Sequence, residues 1–431
     1  MARILFISSY YPPEKAAAAV CVSEAATRLL KWGHEVSVLT TFPNYPTGVV
    51  YPQYQGRRFQ QETLDGVRVI RSWSYTSPNK GFLRRILAYL SFACAAPFLA
   101  GKAIGRPDLI IIQSPPLFDA IAGRILARWK RCPFIFIASD LWPESAVELG
   151  ILRNRALIRL SEWLEWSTYR KASLVWVVTE RVRDLLVQRG LAQEKIFLQT
   201  YGVDTEQFHP LPQEQARTML GWDDRYTVLY AGNHGLVYNL STVLEAAEQL
   251  QQHADIRFVL VGDGAQKADL VAEAARRRLT NVTFFDAVAH DQMPVVQAAA
   301  DVCLIPLRRI PLLETSIPVK MFEIMASGRP LIIGAEGITR KMAEEEAQAA
   351  LYVEPENADA LSAAILSLRA RPDVAAELAQ RGRAYVEAQF DYNHLIATLH
   401  NRISILLDKD TEQIVVTHLA PASLKVPVER S

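Results

Sequence analysis

Short apolar runs alternate with helix-length amphipathic stretches along nearly the whole chain, and no other feature restricts its possible folds as much. RILFIS at the start leads into SSYYPPE, an Ala-rich helical pattern reaching Trp32 and Gly33, and then HEVSVLT. Strand, loop, helix, Gly and strand make a βαβ unit. The alternation continues with DLIIIQS (108–114), a helix over 117–129, PFIFIAS (133–139), a helix around 153–171 and SLVWVVT (173–179). Strands that are apolar throughout predict a parallel sheet covered on both faces. At TYGVDTEQFHP (200–210) the pattern breaks, and it restarts with YTVLYAG (226–232), IRFVLVGDG (256–264), NVTFFD and DVCLIPL (301–307). Helices over 240–252 and 265–279 fall between these runs, and LIIGAEG, ALYVEP and two helices complete the second half. The expected fold is α/β, with two Rossmann-like doubly wound domains, 1–205 and 206–390, facing a central cleft. A further helix, HLIATLHNRISILL (394–407), and a polar tail over 409–431 follow. Ligands of such sheets bind beyond the carboxyl ends of the strands, so the loops there are the candidate sites.

At 431 residues, 50% of them hydrophobic, the chain can fill two cores. Its net charge of +1 conceals an asymmetry: residues 1–205 hold 26 Lys+Arg against 16 Asp+Glu, or +10, and the remainder holds 21 against 30, or −9. The first half therefore favours anionic ligands or surfaces. Cys21, Cys94, Cys132 and Cys303 lie far apart without metal-ligand spacing, so neither zinc nor a disulfide framework is expected, and a reducing compartment fits. The amino terminus enters a strand pattern directly, without the features of a signal peptide, which predicts a cytoplasmic protein. Within 80–105, KGFLRRILAYLSFACAAPFLAGKAIG, the apolar run from Ile86 to Ala100 is too short to span a bilayer and contains Pro97. Preceded by Lys80, Arg84 and Arg85, it reads either as an interfacial helix touching acidic lipid or as a buried core helix.

The loop SSYYPPEKAAAAV stands where a dinucleotide enzyme would carry GxGxxG, yet contains no glycine, which argues against a nicotinamide or flavin domain there. Tyr10, Tyr11, Pro12 and Pro13 make a stiff aromatic loop suited to shaping a pocket or a simple turn. In YAGNHGLVYNLSTVLEAAEQL, Gly232 and Gly235 free the backbone ahead of a helix whose N–H groups would attract phosphate. VGDG (261–264), with Gly262, is a second turn that lets a base or ribose approach closely. In ASDLWPESAVELG, Asp140 ends a strand and reads either as a proton acceptor for an incoming hydroxyl or as a helix N-cap. SIPVKMFEIMASGRP (316–330) predicts a helix over 318–327 with Phe322, Met325 and Ala326 on one face and Lys320, Glu323 and Ser327 on another. Taken alone, Lys320 and Glu323 read as a surface ion pair. DKD (408–410) lies in the polar tail rather than after a buried strand, so no metal site is expected, and nothing suggests a nucleic-acid interface.

Together SYYPPE, GHEVSVLTTFPNYPTGVVYPQY (33–54), SDLWPES, YGVDTEQFHP, YAGNHGL, VGDG and KMFEIMASGRP resemble the family-4 glycosyltransferases, retaining enzymes of the two-domain GT-B fold. FPNYPTG and DLWPES are most similar to bacterial transferases that add fucosamine-type sugars in O-antigen or capsule assembly. The resemblance implies a nucleoside-diphosphate sugar held by the second domain and an acceptor on the first. The preferred acceptor is a lipid-diphosphate-linked glycan, and the basic first half with the 80–105 stretch is the reason to expect peripheral contact at the inner face of the cytoplasmic membrane. The resemblance also implies catalysis without a metal or other cofactor, and a last helix (391–408) crossing back to the first domain. Glu323 matches the second glutamate of the family's E-x7-E motif, which holds the donor ribose. The first would fall at Thr315, with Glu314 one position early. Asn233 and Tyr238 replace the arginine and lysine that grip the diphosphate in many relatives, leaving Lys320, assisted by N–H groups of the 233–237 loop, as the inferred cation. Ser139 stands where many relatives have histidine, and Asp140 is the inferred acceptor-side or sugar-contacting carboxylate. A non-hydrolysing nucleotide-sugar epimerase and a non-catalytic sugar-nucleotide-binding subunit are the alternative readings.

Overall fold

The computed structural model describes residues 1–408 apart from 15, 46, 78–81 and 149–151. The DKD stretch and the tail expected over 409–431 therefore lie largely outside the described residues. In the first half, β1 (Arg3–Ile7), β2 (Glu35–Thr41), β3 (Phe59–Leu64), β4 (Val67–Ser72), β5 (Leu109–Ser114), β6 (Phe134–Ala138), β7 (Leu174–Val177) and β8 (Ile196–Leu198) form one sheet. Its order is β3-β4-β2-β1-β5-β6-β7-β8. Every pairing is parallel except β3 with β4. In the second half, β9 (Tyr226–Ala231), β10 (Ile256–Val261), β11 (Val282–Phe285), β12 (Val302–Pro306), β13 (Leu331–Gly334) and β14 (Ala350–Tyr352) form a parallel sheet. Its order is β11-β10-β9-β12-β13-β14. The expected doubly wound α/β architecture is present twice.

The strand order reverses between β1 and β5 in the first sheet and between β9 and β12 in the second. A crevice opens at such a reversal because the loops on either side leave toward opposite faces. The loops singled out in the sequence follow β1 and β9. The β3–β4 hairpin was not anticipated. Asp65 and Gly66 turn it with φ of 50° and 80°, the two positive values a tight two-residue hairpin needs, and the Asp-Gly pair was the available signal.

Both faces of the first sheet are buried. Leu5, Ile7, Ile110, Ile112 and Phe136 pack on one side with Phe92 and Ala96. Ile4, Phe6, Val36, Val38 and Ile111 pack on the other with Ile396, Leu399 and Ile403. These last three belong to the helix Tyr392–Leu407, which follows the second sheet in sequence yet completes the core of the first. The helix Phe82–Ala100 buries Phe92, Ala93, Ala96 and Ala100, as a core helix would, and leaves Leu87, Phe98 and Leu99 exposed. Among the described residues, no helix is long and apolar enough to cross a membrane.

Candidate active site

The loops after β9 and β10 are zipped together. The Gly232 N–H donates to Val261 O at 2.9 Å, the His234 N–H to Asp263 O at 2.9 Å, and the Gln266 N–H to His234 O at 2.9 Å. A Cβ on Gly262 would run into the Gly232 carbonyl, and one on Gly232 would overlap Lys320 Nζ, so only glycine permits this approach. The zip revises the expectation for the 233–237 loop, because the His234 N–H is spent on Asp263 and is not free for a phosphate. The Gly235 and Leu236 N–H groups make no such bond among the described residues.

Lys320 reaches this loop from the helix Val319–Ala326. Its ammonium lies 4.4 Å from the Tyr230 ring centre and 4.2 Å from that of Tyr238. It also donates to Tyr230 Oη at 3.2 Å, while that hydroxyl donates to Asn233 O at 2.6 Å. The lysine is thus held between two aromatic faces by cation–π attraction, with its position fixed by a hydroxyl anchored on the loop itself. Burial lowers its pKa to about 7, against the opposing pull of Glu323.

Glu323 does not pair with Lys320, and the surface ion-pair reading is corrected. Its Oε1 lies 3.0 Å from His290 Nε2. Burial works against a charged His290, but the bond to Glu323 and the nearby acidic charges outweigh it and raise the imidazole's pKa. Thr315 ends the turn Pro311–Thr315. Glu314, the other candidate for the first glutamate, instead accepts from Arg181 of the first domain at 3.2 Å, bridging the two halves. His234 is fully buried under the glycine loop with both ring nitrogens unpartnered. Burial, with Lys267 and Lys320 nearby, lowers its pKa to about 4, so the ring is neutral.

On the opposite side, two buried carboxylates brace the loops of the first domain. Glu14 Oε1 accepts from the Asn44 and Tyr45 N–H groups, each at 2.8 Å, and Oε2 accepts from the Tyr11 N–H at 3.3 Å. Asp119 accepts from the Ser9 N–H and Oγ, each at 2.7 Å. Burial raises both carboxyls to about 7. So fixed, Tyr10 meets Tyr89 hydroxyl to hydroxyl at 2.9 Å and lies edge-on to Tyr45. These rings, with Arg84 and Arg85, line a cavity of ≈ 610 Å³ that Asn233, Gly235, Asp263 and Gly264 close from the second domain. The bracing role of Glu14 and Asp119 and the Glu323–His290 pair escaped the sequence reading, since the contacts of Glu14 with Asn44 and Tyr45, of Asp119 with Ser9 and of Glu323 with His290 are made only by long-range folding.

Asp140 stands four residues before the short helix Glu144–Glu148, which rules out the N-cap reading. Its side chain is accessible, yet the protein around it raises its pKa by desolvation. Tyr201 meets the adjacent Ser139 hydroxyl to hydroxyl at 2.5 Å, and burial raises its pKa. Asp140 does not line the ≈ 610 Å³ cavity. Among the described residues there is no group of three or more His, Cys, Asp or Glu arranged to hold a metal.

Two doubly wound domains facing a cleft make this a GT-B fold. Family matches agree: the glycosyl transferase 4-like domain matches residues 16–202 and the glycosyl transferases group 1 domain matches residues 212–385. The chain belongs to these glycosyltransferases. It is 28% identical to Escherichia coli K12 WcaI, a glycosyl transferase assigned to colanic acid biosynthesis, over 88% of this chain and 96% of that protein. It is also 28% identical to a GDP-mannose-dependent alpha-(1-6)-phosphatidylinositol monomannoside mannosyltransferase of Mycobacterium tuberculosis, over 72% of this chain and 85% of the relative. In fold it is similar to sucrose-phosphate synthase from Thermosynechococcus elongatus, with a TM-score of 0.75, 21% identity, and coverage of 94% of this chain and 99% of the other.

Proposed function

We propose that this glycosyltransferase moves a sugar from a nucleoside-diphosphate donor onto a lipid-diphosphate-linked glycan during assembly of a bacterial surface polysaccharide. The observation that carries the reading is Lys320, a cation enclosed by Tyr230, Tyr238 and Gly232 at the strand-order reversal of the second sheet. The assignment of WcaI to colanic acid biosynthesis supports the polysaccharide context. The phosphatidylinositol-linked acceptor in the mannosyltransferase's name supports a lipid-borne one. The exposed Leu87, Phe98 and Leu99 of the helix Phe82–Ala100 support peripheral contact with the inner face of the cytoplasmic membrane.

In the reaction the bond from the anomeric carbon to the diphosphate breaks and a bond from the acceptor oxygen forms on the same face, so configuration is retained. The acceptor proton passes to the departing diphosphate. Lys320 stabilises the negative charge that grows on this leaving group, joined by the Gly235 and Leu236 N–H groups. Gly262 and Glu323 hold the nucleoside, with Glu323 on the ribose and His290 fixing its orientation. Thr315 stands by the sugar in place of the absent first glutamate, and Asp140 contacts the acceptor hydroxyl or the transferring sugar. The chemistry uses no metal. The aromatic cavity opposite the donor loops favours transfer to an acceptor over epimerisation of the donor.

Lys320→Ala is expected to lower kcat by about 10²–10³-fold, the scale of losing one charge-stabilising group, with the thermal transition nearly unchanged. Unaltered transfer and donor hydrolysis would remove the lysine from this role. Asp140→Asn is expected to slow transfer while leaving donor affinity intact, and a full rate would exclude the carboxylate.

A further inference from the structure

A second cavity, of ≈ 840 Å³, lies wholly within the first domain between the helices Phe82–Ala100, Asp119–Lys130 and Arg155–Lys171. Its walls are mainly hydrocarbon and aromatic, including Ile86, Leu90, Ile125 and Leu164, while Arg124, Arg128 and Lys171 also contribute to it. Its volume falls within the range of about 300–1,000 Å³ common for ligand pockets. At its mouth Leu160 and Trp163 are 60% and 63% exposed, although a helix facing only water would normally carry polar residues there.

The groove adjoins the acceptor cavity through one element. On the helix Phe82–Ala100, Arg84, Arg85, Ala88 and Tyr89 line the interdomain cavity, whereas Ile86 and Leu90 line the groove. A molecule lying across this helix would meet two guanidinium groups at one end and an apolar trough at the other. That pairing of charge and hydrocarbon matches an isoprenoid diphosphate, and the charge of the first half has the complementary sign.

We propose that this groove binds the isoprenoid tail of the acceptor, with the acceptor's diphosphate at Arg84 and Arg85. The proposal rests on the transferase reading above and narrows its acceptor to a polyprenyl-diphosphate carrier. Extraction of the tail from the bilayer into the groove fixes the distance between the diphosphate and the first sugar, and so the sugar hydroxyl presented to the donor.

The test uses the full chain and farnesyl diphosphate as probe, with inorganic diphosphate as the headgroup control. Farnesyl diphosphate is expected to bind at least about tenfold more tightly than inorganic diphosphate, because only it buries hydrocarbon. Leu160→Glu and Trp163→Glu, both at exposed positions, are expected to abolish that advantage without changing inorganic diphosphate binding. Equal affinity for the two probes in the wild-type protein, or an undiminished advantage in both variants, would overturn the proposal. So would variants that lose sedimentation with phosphatidylglycerol vesicles yet keep the wild-type preference for farnesyl diphosphate, since the face would then be a membrane contact only. A thermal-shift series with UDP and GDP reads the donor site in the same protein. Failure of the nucleotides with farnesyl diphosphate binding intact would remove the transferase reading and leave the groove.

Discussion

At the scale of single residues, the site turns on how Lys320 is kept. An ammonium between two tyrosine rings loses much of its hydration, and the cation–π attraction replaces only part of it. Its pKa accordingly falls to about 7, leaving a mixture of charged and neutral lysine near neutrality in the free enzyme. A bound diphosphate favours the charged form, so binding takes up a proton wherever the free lysine is neutral. Donor affinity is therefore expected to be highest below pH 7 and to fall as pH rises, by up to about tenfold per unit above the free-state pKa. A titration of donor Kd from pH 6 to 9, with proton uptake measured by calorimetry in two buffers, checks this. A flat profile in the wild type would place the diphosphate away from Lys320, and Lys320→Met should give a flat profile. The position of Lys320 on a helix beside Glu323 was legible in the sequence. Its separation from Glu323 was not, because the partners that divide the pair, Tyr230, Tyr238 and His290, lie 30 to 90 residues away along the chain.

At the scale of elements, βα alternation was readable because parallel strands buried on both faces must be apolar throughout. The antiparallel β3 was harder: FQQETL alternates exposed and half-buried positions at the sheet edge, so its polar sequence carries little strand signal. The docking of the terminal helix includes, beside its apolar face, a contact no pattern shows. His34 Nε2 lies 2.8 Å from His400 Nδ1, and Trp32 packs on the His400 ring at 4.8 Å. Burial lowers the pKa of His34, and His400 lowers it further. A base whose folded pKa is depressed takes up fewer protons when folded, so its penalty is absent above the unfolded pKa, about 6.5, and grows as pH falls below it. Acidification toward pH 5 is thus expected to loosen the helix Tyr392–Leu407 before either sheet opens. Hydrogen exchange of its amides should quicken selectively, and His400→Leu, which keeps an apolar side chain against Trp32 and removes the ring nitrogen facing His34, should blunt the effect. Uniform exchange across the protein at pH 5 would exclude a local clasp.

At the scale of the whole molecule, both covalent connections between the sheets pass through one place. The Val203 N–H donates to Phe390 O at 2.9 Å and the Tyr392 N–H to Val203 O at 3.0 Å, so the outgoing and returning chains lie side by side. Arg383 locks the same region by donating to the Thr205, Phe208 and Ala326 carbonyls. Beyond this joint the halves meet through exposed ion pairs such as Arg181 with Glu314, which resist opening only weakly. Bending there would change the cleft while leaving each sheet intact, and the residues proposed for the reaction divide across it: Lys320 and Glu323 on one side, Asp140 and the tyrosines of the cavity on the other. Gly202 sits at the joint, and a Cβ there would clash with the Phe390 carbonyl and the Leu395 side chain. Gly202→Ala is therefore expected to displace the chain crossing and alter the closed geometry. Its kcat should fall by about tenfold or more, as hinge changes far from the chemistry can do, while the thermal shift produced by a nucleoside diphosphate persists because the donor loops belong to one domain. Small-angle scattering with and without UDP and GDP should show compaction in the wild type and less in the variant. Loss of nucleotide binding together with activity would instead mean that the joint supports the fold of the second domain, and unchanged turnover with unchanged compaction would show that catalysis does not depend on bending at Gly202.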